Sequence, residues 1–276
     1  MYSEKNIILR ASAATNVGFV RSINEDNFYL NGIYFSPSTT EKTVLFDINE
    51  ADSFFLFAVS DGMGGEAFGD KASLTAMLEL KKAHNFIKNN NNGNIEGCVN
   101  RINSYIKNTN NLIYNLGVEY GARTGATFAA LLIYGGQAKA LNLGDSRIYH
   151  VRDNEIIRLT KDHTEAERLI RLGILSPEEA SNSPSKHLLY KFLGIPPEEG
   201  IVEADVSESF SLEKGDVFLL CTDGLTNMVE DEFIKSTINT ENDPSKIART
   251  LINEALINGG SDNITCIVVK IEDILM

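Results

Sequence analysis

The sequence predicts an α+β fold in which strands and helices occur in separate runs along the chain. Two long amphipathic helical patterns follow each other directly, and a series of short apolar segments separated by Gly-containing turns comes after them. An alternation of single strands with single helices would instead predict a parallel sheet. We therefore expect antiparallel sheets layered with helices.

The first elements in chain order are two predicted strands. Residues 7–10 and 54–60 are short apolar runs, each bounded by polar or Gly-containing turns. Residues 31–53, between the two runs, have the composition of an irregular loop. We expect this loop to connect the two strands.

Two long helices are predicted next, over residues 66–90 and 95–120. In both segments apolar residues recur at i, i+3 and i+4, which is typical of a helix with one buried face. An Asn-rich stretch at residues 89–94, with Gly93, should end the first helix and cap the second.

The second half of the chain begins with a predicted antiparallel meander. Its four strands, separated by Gly-Gly, Gly-Asp and Asp-Asn turns, cover residues 126–134, 137–143, 147–151 and 155–160. Residues 164–186 are polar and contain a Ser-Pro-Glu helix start, so we expect a mobile flap there. The final elements are a strand, a helix and a strand over residues 217–222, 244–257 and 264–271. Neither an internal repeat nor a domain linker is visible, which predicts one domain over residues 1–276.

Composition and charge exclude several function classes. The formal net charge of −13 argues against a nucleic-acid-binding surface, since phosphate backbones would be repelled. Cys98, Cys221 and Cys266 have spacings that suit neither a zinc site nor a disulfide framework, which favours a reducing, cytoplasmic location. No segment approaches the roughly 20 apolar residues of a membrane span. We expect neither export nor membrane insertion.

Four acidic segments share one pattern, because each places an Asp or Glu at the end of an apolar strand or beside a Gly. The segments are Asn24-Glu25-Asp26, Asp61 to Gly65, Thr222-Asp223-Gly224 and Gly260-Ser261-Asp262-Asn263. A single Asp-Gly pair indicates only a turn. Strands that end together would bring these carboxylates to one rim, where they would repel unless protonated or bridged by cations. Oxygen ligands without Cys or His favour Mg²⁺ or Mn²⁺.

Together these segments resemble the metal-dependent protein phosphatase family, type 2C, and specifically its bacterial branch. The matching stretches are residues 18–26, 61–65, 124–127, 144–147, 221–225 and 261–265, which occur in the family's order. The resemblance implies a four-layer αββα sandwich, with two stacked antiparallel sheets flanked by helices and the metals at one end. It also implies hydrolysis of phosphoserine and phosphothreonine in phosphorylated proteins, opposing a bacterial Ser/Thr kinase. We expect a monomer.

The resemblance also implies a role for each site residue. The metal ligands would be Asp61 as the bridging carboxylate, Asp223 and Asp262 in one site, Glu25 and the Gly62 carbonyl in the other, and Asp145 for a third, weaker cation shared with Asp223. Arg21 resembles the family's phosphate-binding arginine, and Asp26 the acid that hydrogen-bonds metal-bound water. Two neighbouring cations can activate a bridging water for in-line attack, so a Cys nucleophile is unnecessary.

The proton donor for the leaving group is left open by the sequence. Met63 stands where animal members of the family have a His proposed as general acid, and Met cannot donate a proton. His163 is one candidate, with a hydrogen-bonded structural histidine as the alternative. We expect His84, His150 and His187 to be structural.

Two other functions remain as alternatives. One is a regulatory phosphatase of the same fold that acts on a phosphorylated anti-sigma-factor antagonist. The other is a catalytically dead pseudophosphatase that binds partners through the same surface. The complete carboxylate set argues against the second, because a pure binding module has no chemical need for these acids.

Overall fold

Two antiparallel sheets, stacked face to face, lie at the centre of the computed structural model. It describes residues 5–36, 43–64, 68–90, 94–200 and 202–275. Strands and helices are numbered below in chain order. The expected residues Gly65, Glu66 and Gly93 lie outside the described ranges.

The first sheet contains six strands within the described ranges. In spatial order they are β10 (Glu155–Arg158), β9 (Arg147–Arg152), β13 (Val217–Cys221), β14 (Ile264–Leu275), β1 (Asn6–Asn16) and β4 (Thr43–Asp52). Every pair of neighbours runs antiparallel. The N- and C-terminal strands β1 and β14 are therefore partners at the middle of the sheet.

The second sheet contains eight strands in the part of the chain that the structure describes. Along its main path they are β11 (Asp205–Val206), β8 (Gln137–Leu143), β7 (Phe128–Tyr134), β5 (Phe54–Met63), β2 (Asp26–Leu30) and β3 (Ile33–Tyr34). Two short strands complete it: β12 (Phe210–Ser211) pairs with β8, and β6 (Gly125–Ala126) pairs with β5.

Helices cover the outer face of each sheet. The long helices α1 (Gly69–Asn89) and α2 (Ile95–Tyr120) pack on the second sheet, while α5 (Asp223–Thr226), α6 (Asp231–Thr240) and α7 (Pro244–Ile257) pack on the first. The Asn94 side chain caps α2 by accepting from the Gly97 amide, and Gly121 ends it in the left-handed conformation. Both caps match the predicted helix over residues 95–120. No described helix is long and apolar enough to cross a bilayer.

The central strands are buried on both faces, which explains their continuous apolar sequences. On β5, Phe55, Phe57 and Val59 point into the core between the sheets. The alternate residues Leu56 and Ala58 point into the core beneath α1 and α2. Because side chains on a strand alternate between faces, a strand with a core on each side has no polar face.

The flap follows strand β10 in the chain and contains short helical segments. They are α3 (Glu165–Arg171), α4 (Pro177–Ser181) and a 3₁₀ turn (Pro184–His187), and another 3₁₀ turn (Pro197–Glu199) lies further along. Ser176 and Glu179 form the capping box of α4, as the Ser-Pro-Glu signal predicts.

Two predictions about connectivity are wrong. Residues 31–53 are not an irregular loop, since they contain β3 and β4, and β4 is an edge strand whose Asp47, Asn49 and Ala51 are exposed. The predicted meander is instead two hairpins in different sheets, because β7 and β8 pair in the second sheet and β9 and β10 in the first. The chain changes sheets at Gly144, where φ is +101°.

The remaining differences concern elements that the sequence does not predict and the lengths of others. Strand β2 and helix α6 were not predicted, and β1 and β14 extend beyond their predicted bounds. The predicted strand over residues 155–160 ends at Arg158. Local propensity is a weak guide at such boundaries, where pairing with distant strands decides the length.

Candidate metal centre

A cavity of about 410 Å³ at one end of the sandwich brings together the predicted site residues. Its lining includes Arg21, Glu25, Asp61, Gly62, Asp145, Asp223 and Asp262. Asp26 is buried and lies opposite Asp61 in the β2–β5 pairing. Carboxylates separated by more than 200 positions along the chain therefore meet at one rim.

Antiparallel pairing explains why these acids converge. Asp61 lies near the end of β5, and Asp26 begins β2, the neighbouring strand. Asp223 follows the end of β13, and Asp262 precedes the start of its partner β14. Where one strand of an antiparallel pair ends, its partner begins. Asp145, in the turn after β8, lies at the same end.

Backbone contacts fix the position of Glu25. The Gly62 amide donates to the Glu25 carbonyl at 3.1 Å, and the Glu25 carboxylate accepts from the amide of Gly69 at the start of α1. The positive end of the helix dipole favours a carboxylate at this position. A side chain at residue 62 would collide with the Gly69 carbonyl, so the close approach of the two segments requires glycine.

Asn263 joins the loop between β1 and β2 to the loop that contains Asp262. Its side-chain oxygen accepts from the Glu25 amide at 2.7 Å, and its side-chain nitrogen donates to the carbonyls of Val17 and Ile23 at 2.9 and 3.0 Å. These bonds hold Glu25 next to Asp262. Asn263 lies in one of the matching stretches, but its local sequence indicates no role.

Thr127 connects Asp61 to the turn that contains Asp145. Its hydroxyl accepts from the Asp61 amide at 2.8 Å and lies 2.7 Å from the Ser146 hydroxyl, while its amide donates to the Asp61 carbonyl at 2.8 Å. Thr127 is buried. It was also part of a matching stretch without an assigned role, because only the fold shows which turns it joins.

The acids of the cavity have raised pKa values in the structure. Burial and neighbouring carboxylates raise the pKa of Asp61 and Asp145 well above the ordinary value, and burial raises the pKa of Asp26 to about 8. Burial followed by the charge of Asp262 raises the pKa of Asp223, which also accepts a hydrogen bond from Asp61. Burial raises the pKa of Glu25. A cation would compensate this accumulated negative charge.

The donor set fits hard divalent cations. All the converging ligands are oxygen atoms, and the buried Asp26 Oδ1 has no hydrogen-bond partner. Within the described ranges, no group of three or more His, Cys, Asp or Glu side chains is placed so that it could hold a metal ion by itself. A backbone carbonyl such as that of Gly62, together with water, would have to complete the coordination.

Arg21 lies at the rim of the cavity and pairs with Asp262. Its Nη2 donates to Asp262 Oδ2 at 2.9 Å, and half of its side-chain surface remains exposed. This hydrogen bond is the main cause of the raised pKa of Arg21. A guanidinium has five donors, so the exposed ones remain available for phosphate oxygens.

The four histidines differ in how they relate to the cavity. His163 is buried, and its Nδ1 accepts from the Gly144 amide at 3.0 Å, which supports the structural interpretation. His84 and His150 are buried away from the acids, in the cores around Tyr29 and Phe218. His187, expected to be structural, is exposed and lines the cavity. The polar sequence around His187 contains no signal that would have predicted this location.

Two other residues near the centre, Arg147 and Cys221, have structural roles. Arg147 donates to both carboxylate oxygens of Asp162, with distances from 2.7 to 3.2 Å, and so steadies the strand that follows Asp145. Cys221 is buried, and burial raises the pKa of its thiol, as expected for an unreactive core residue.

Comparison with known proteins identifies relatives over nearly the whole chain. A family model described as protein phosphatase 2C matches residues 44–256. The serine/threonine phosphatase stp of Listeria welshimeri is 30% identical, over 95% of this chain and 96% of the relative. The crystal structure of the serine/threonine phosphatase PstP/Ppp of Mycobacterium tuberculosis is 30% identical, with a TM-score of 0.78 over 97% of this chain and 100% of that chain.

A further solved structure bears on the cation site. It is the catalytic domain of the serine/threonine protein phosphatase PstP in complex with two manganese ions, and it is 29% identical, with a TM-score of 0.76 over 97% of this chain and 100% of that chain. These likenesses confirm the predicted αββα sandwich. The chain belongs to the protein phosphatase 2C family.

Proposed function

We propose that this chain is a metal-dependent phosphoprotein phosphatase that removes phosphate from phosphoserine and phosphothreonine, with Mn²⁺ or Mg²⁺ as cofactor. The convergence of Glu25, Asp61, Asp223 and Asp262 around one cavity supports this proposal most directly. Family membership and the names of the relatives, which are serine/threonine phosphatases, point to the same activity.

The ligand assignment follows the resemblance, and the shared cavity supports it. Two cations would be held by Asp61, by Asp223 and Asp262 on one side, and by Glu25 and the Gly62 carbonyl on the other; Asp145 and Asp223 would hold a third. When bound, the cations supply an activated water for attack on phosphorus and shield the phosphate oxygens.

Arg21 and Asp26 have supporting roles in this proposal. Arg21 would bind phosphate oxygens through the guanidinium donors that do not contact Asp262, which would orient the phosphate at the rim. Asp26, held by a 2.7 Å hydrogen bond from the Thr222 hydroxyl, would accept from water through its unpartnered Oδ1.

The cellular setting is also part of the proposal. The substrates would be phosphorylated proteins, including a Ser/Thr kinase and its targets, because a phosphatase of this kind reverses the product of such a kinase. Three buried free thiols suit a reducing cytoplasm. We propose that residues 1–276 act as a monomeric catalytic domain with a flap at residues 164–186.

An activity assay tests the proposal. The purified chain should hydrolyse p-nitrophenyl phosphate and a phosphothreonine peptide in the presence of Mn²⁺, and a chelator should abolish both activities. Cation-independent activity would contradict the proposed cofactor. An intact, cation-loaded chain without activity on either substrate would instead favour the pseudophosphatase.

A further inference from the structure

We propose that His187 is the acid that protonates the serine or threonine oxygen as it leaves phosphorus. This inference rests on the proposed phosphatase function and names the group that completes the reaction. An alkoxide is a poor leaving group, and a positioned acid speeds such a departure. Met63, at the position where a general acid was sought in the sequence, has no proton to donate.

His187 lies at the boundary between two cavities. The first is the cavity of about 410 Å³ that contains the acids, and the second, of about 390 Å³, lies between the flap and the strand β9. Asp145, His187 and Asp223 line both cavities. A phosphate held in the first cavity with its peptide extending into the second would place the breaking P–O bond next to the His187 ring.

The flap holds His187 close to a fixed point in the fold. His187 ends the 3₁₀ turn, and the next residue, Leu188, accepts from the Glu165 amide at 2.8 Å. Two residues further on, the Tyr190 amide donates to the His163 carbonyl at 3.0 Å. The imidazole is therefore attached beside an anchored segment while its ring remains exposed to solvent, from which it can regain a proton.

Other candidate donors are less suitable. His163 is only 1% exposed and its Nδ1 is occupied by the Gly144 amide. Burial lowers the pKa of His84 to about 4, and His84 lies on the buried face of α1, away from the cavity. Arg21 retains its proton at all accessible pH values. An imidazole is the side chain whose ordinary pKa permits proton donation near neutral pH.

Most of the charged groups around His187 are acidic. The titratable groups that line the same two cavities are Arg21, Glu25, Asp61, Asp145, Arg147, Asp162, Glu167, Lys186, Asp223 and Asp262. The positive charge of His187 in turn lowers the pKa of Asp223, whose pKa is raised chiefly by burial.

The proposed step balances. Water forms the new P–O bond, the bond from phosphorus to the serine or threonine oxygen breaks, and its electron pair remains on that oxygen. The oxygen takes the proton of the His187 imidazolium. The products are the free hydroxyl side chain, inorganic phosphate and a neutral imidazole, which solvent then protonates again.

The test compares His187→Gln with the wild type on two leaving groups in saturating Mn²⁺. For a phosphothreonine peptide we expect kcat to fall about 100-fold, a typical contribution of a general acid. For p-nitrophenyl phosphate, whose leaving phenolate needs no proton, we expect kcat within about threefold of the wild type. The alkaline limb of the peptide pH–rate profile should also disappear. Equal losses on both substrates, or no loss on the peptide, would overturn the assignment.

Lys186→Gln tests peptide docking, because Lys186 lines only the second cavity. The matched control is Glu178→Gln, since Glu178 is an exposed flap residue that lines neither cavity. It should retain peptide activity, and calorimetry should show unchanged Mn²⁺ affinity in all three variants. A peptide-specific loss in Lys186→Gln as large as in His187→Gln would indicate peptide docking and would refute proton donation. A wild type inactive on both substrates would reject the proposed function itself, which is a separate outcome.

Discussion

Asp61 lies among other acids, and its side chain lowers the stability of the cation-free protein while serving the proposed function. Its pKa is raised by burial and then by the charges of four further aspartates. We predict that Asp61→Asn abolishes cation-dependent turnover because it removes the bridging carboxylate. The same substitution should raise the melting temperature of the cation-free protein by about 2–4 °C, since it relieves roughly 1 kcal/mol of repulsion.

Activity assays and thermal unfolding in a chelator check this prediction. Asp153→Asn is a matched control, because Asp153 is exposed in the β9–β10 turn at positive φ, a conformation that Asn tolerates. This control should leave both measurements unchanged. Full activity of Asp61→Asn would reject the bridging role.

Asn263 contributes to the site without being a proposed ligand. Asn263→Ala removes three hydrogen bonds that hold the loop containing Glu25 against the loop containing Asp262. We expect the Mn²⁺ affinity to fall about 10–100-fold and the free energy of unfolding to fall by about 1–3 kcal/mol. Calorimetric Mn²⁺ titration and urea denaturation measure the two effects.

The control for Asn263 is Asn258→Ala, which removes an exposed bond to the Met228 carbonyl. It should leave Mn²⁺ affinity unaltered. If Asn263→Ala lowered stability but bound Mn²⁺ as tightly as the wild type, the loop would not depend on Asn263 for its position.

At the scale of elements, the flap is a separate unit attached at a narrow base. The Glu165 amide bonds to Leu188, the Tyr190 amide to His163, and Thr164 bridges to Leu189. The helices α3 and α4 lie outside this base, and Leu172 and Ile174 between them expose about 60% of their surface. Polar and apolar groups near the cavity are therefore available to contact a protein substrate.

We predict that replacing residues 166–183 by the flap of another bacterial family member changes the preference among phosphoproteins. The base and His187 are retained, so hydrolysis of p-nitrophenyl phosphate should continue. Relative kcat/KM values for a panel of phosphopeptides should change by about tenfold. An unaltered ranking would show that the flap does not select substrates.

At the scale of the whole molecule, the site makes stability depend jointly on pH and cations. The pKa of Asp26 is raised to about 8, and those of Asp61 and Asp145 are raised well above the ordinary value. A raised folded-state pKa contributes stability below the unfolded pKa, near 4, and that contribution is lost as pH rises through the folded pKa. As pH rises, the free energy of unfolding of the cation-free protein should therefore fall by up to about 1.4 kcal/mol per pH unit for each such group.

Cations should counteract this loss. We predict that the rise in melting temperature on adding Mn²⁺ is larger at pH 8 than at pH 6, because protons compete with Mn²⁺ for the same carboxylates. The quantity compared is the difference between the melting temperatures measured in Mn²⁺ and in chelator. The contributions of His84, His163 and the thiols to the pH dependence of stability are the same in both conditions, so they cancel in this difference. If the rise in melting temperature on adding Mn²⁺ did not vary with pH, these carboxylates would not be the cation site.

The local sequence was sufficient to predict some parts of this fold and not others. The helix Ile95–Tyr120 is predicted to its first and last residues, because Asn94 and Gly121 act as local caps. The strand β4 was missed because an edge strand with alternating polar residues resembles a loop until its partner β1 is known. The prediction of a single meander was wrong, because the sheet to which a hairpin belongs depends on packing rather than on the turns of the hairpin.

The candidate site shows the same division. Glu25, Asp61, Asp223 and Asp262 were named from acidic residues at strand ends, since that placement is visible in the chain itself. The sequence indicates no role for Asn263 or Thr127 and predicts a structural one for His187, because each acts through contacts with residues distant in sequence.

The sequence by itself determined the chemical type of the site, because an all-oxygen set of carboxylates with neighbouring glycines requires hard cations whatever the details of the fold. Only the tertiary structure decided which side chains surround those carboxylates. Antiparallel pairing brings Asp26 to Asp61, and the hydrogen bonds at the base of the flap bring His187, rather than His163, to the edge of the acidic cavity. Such contacts depend on the summed packing of distant segments, which no local pattern of residues records.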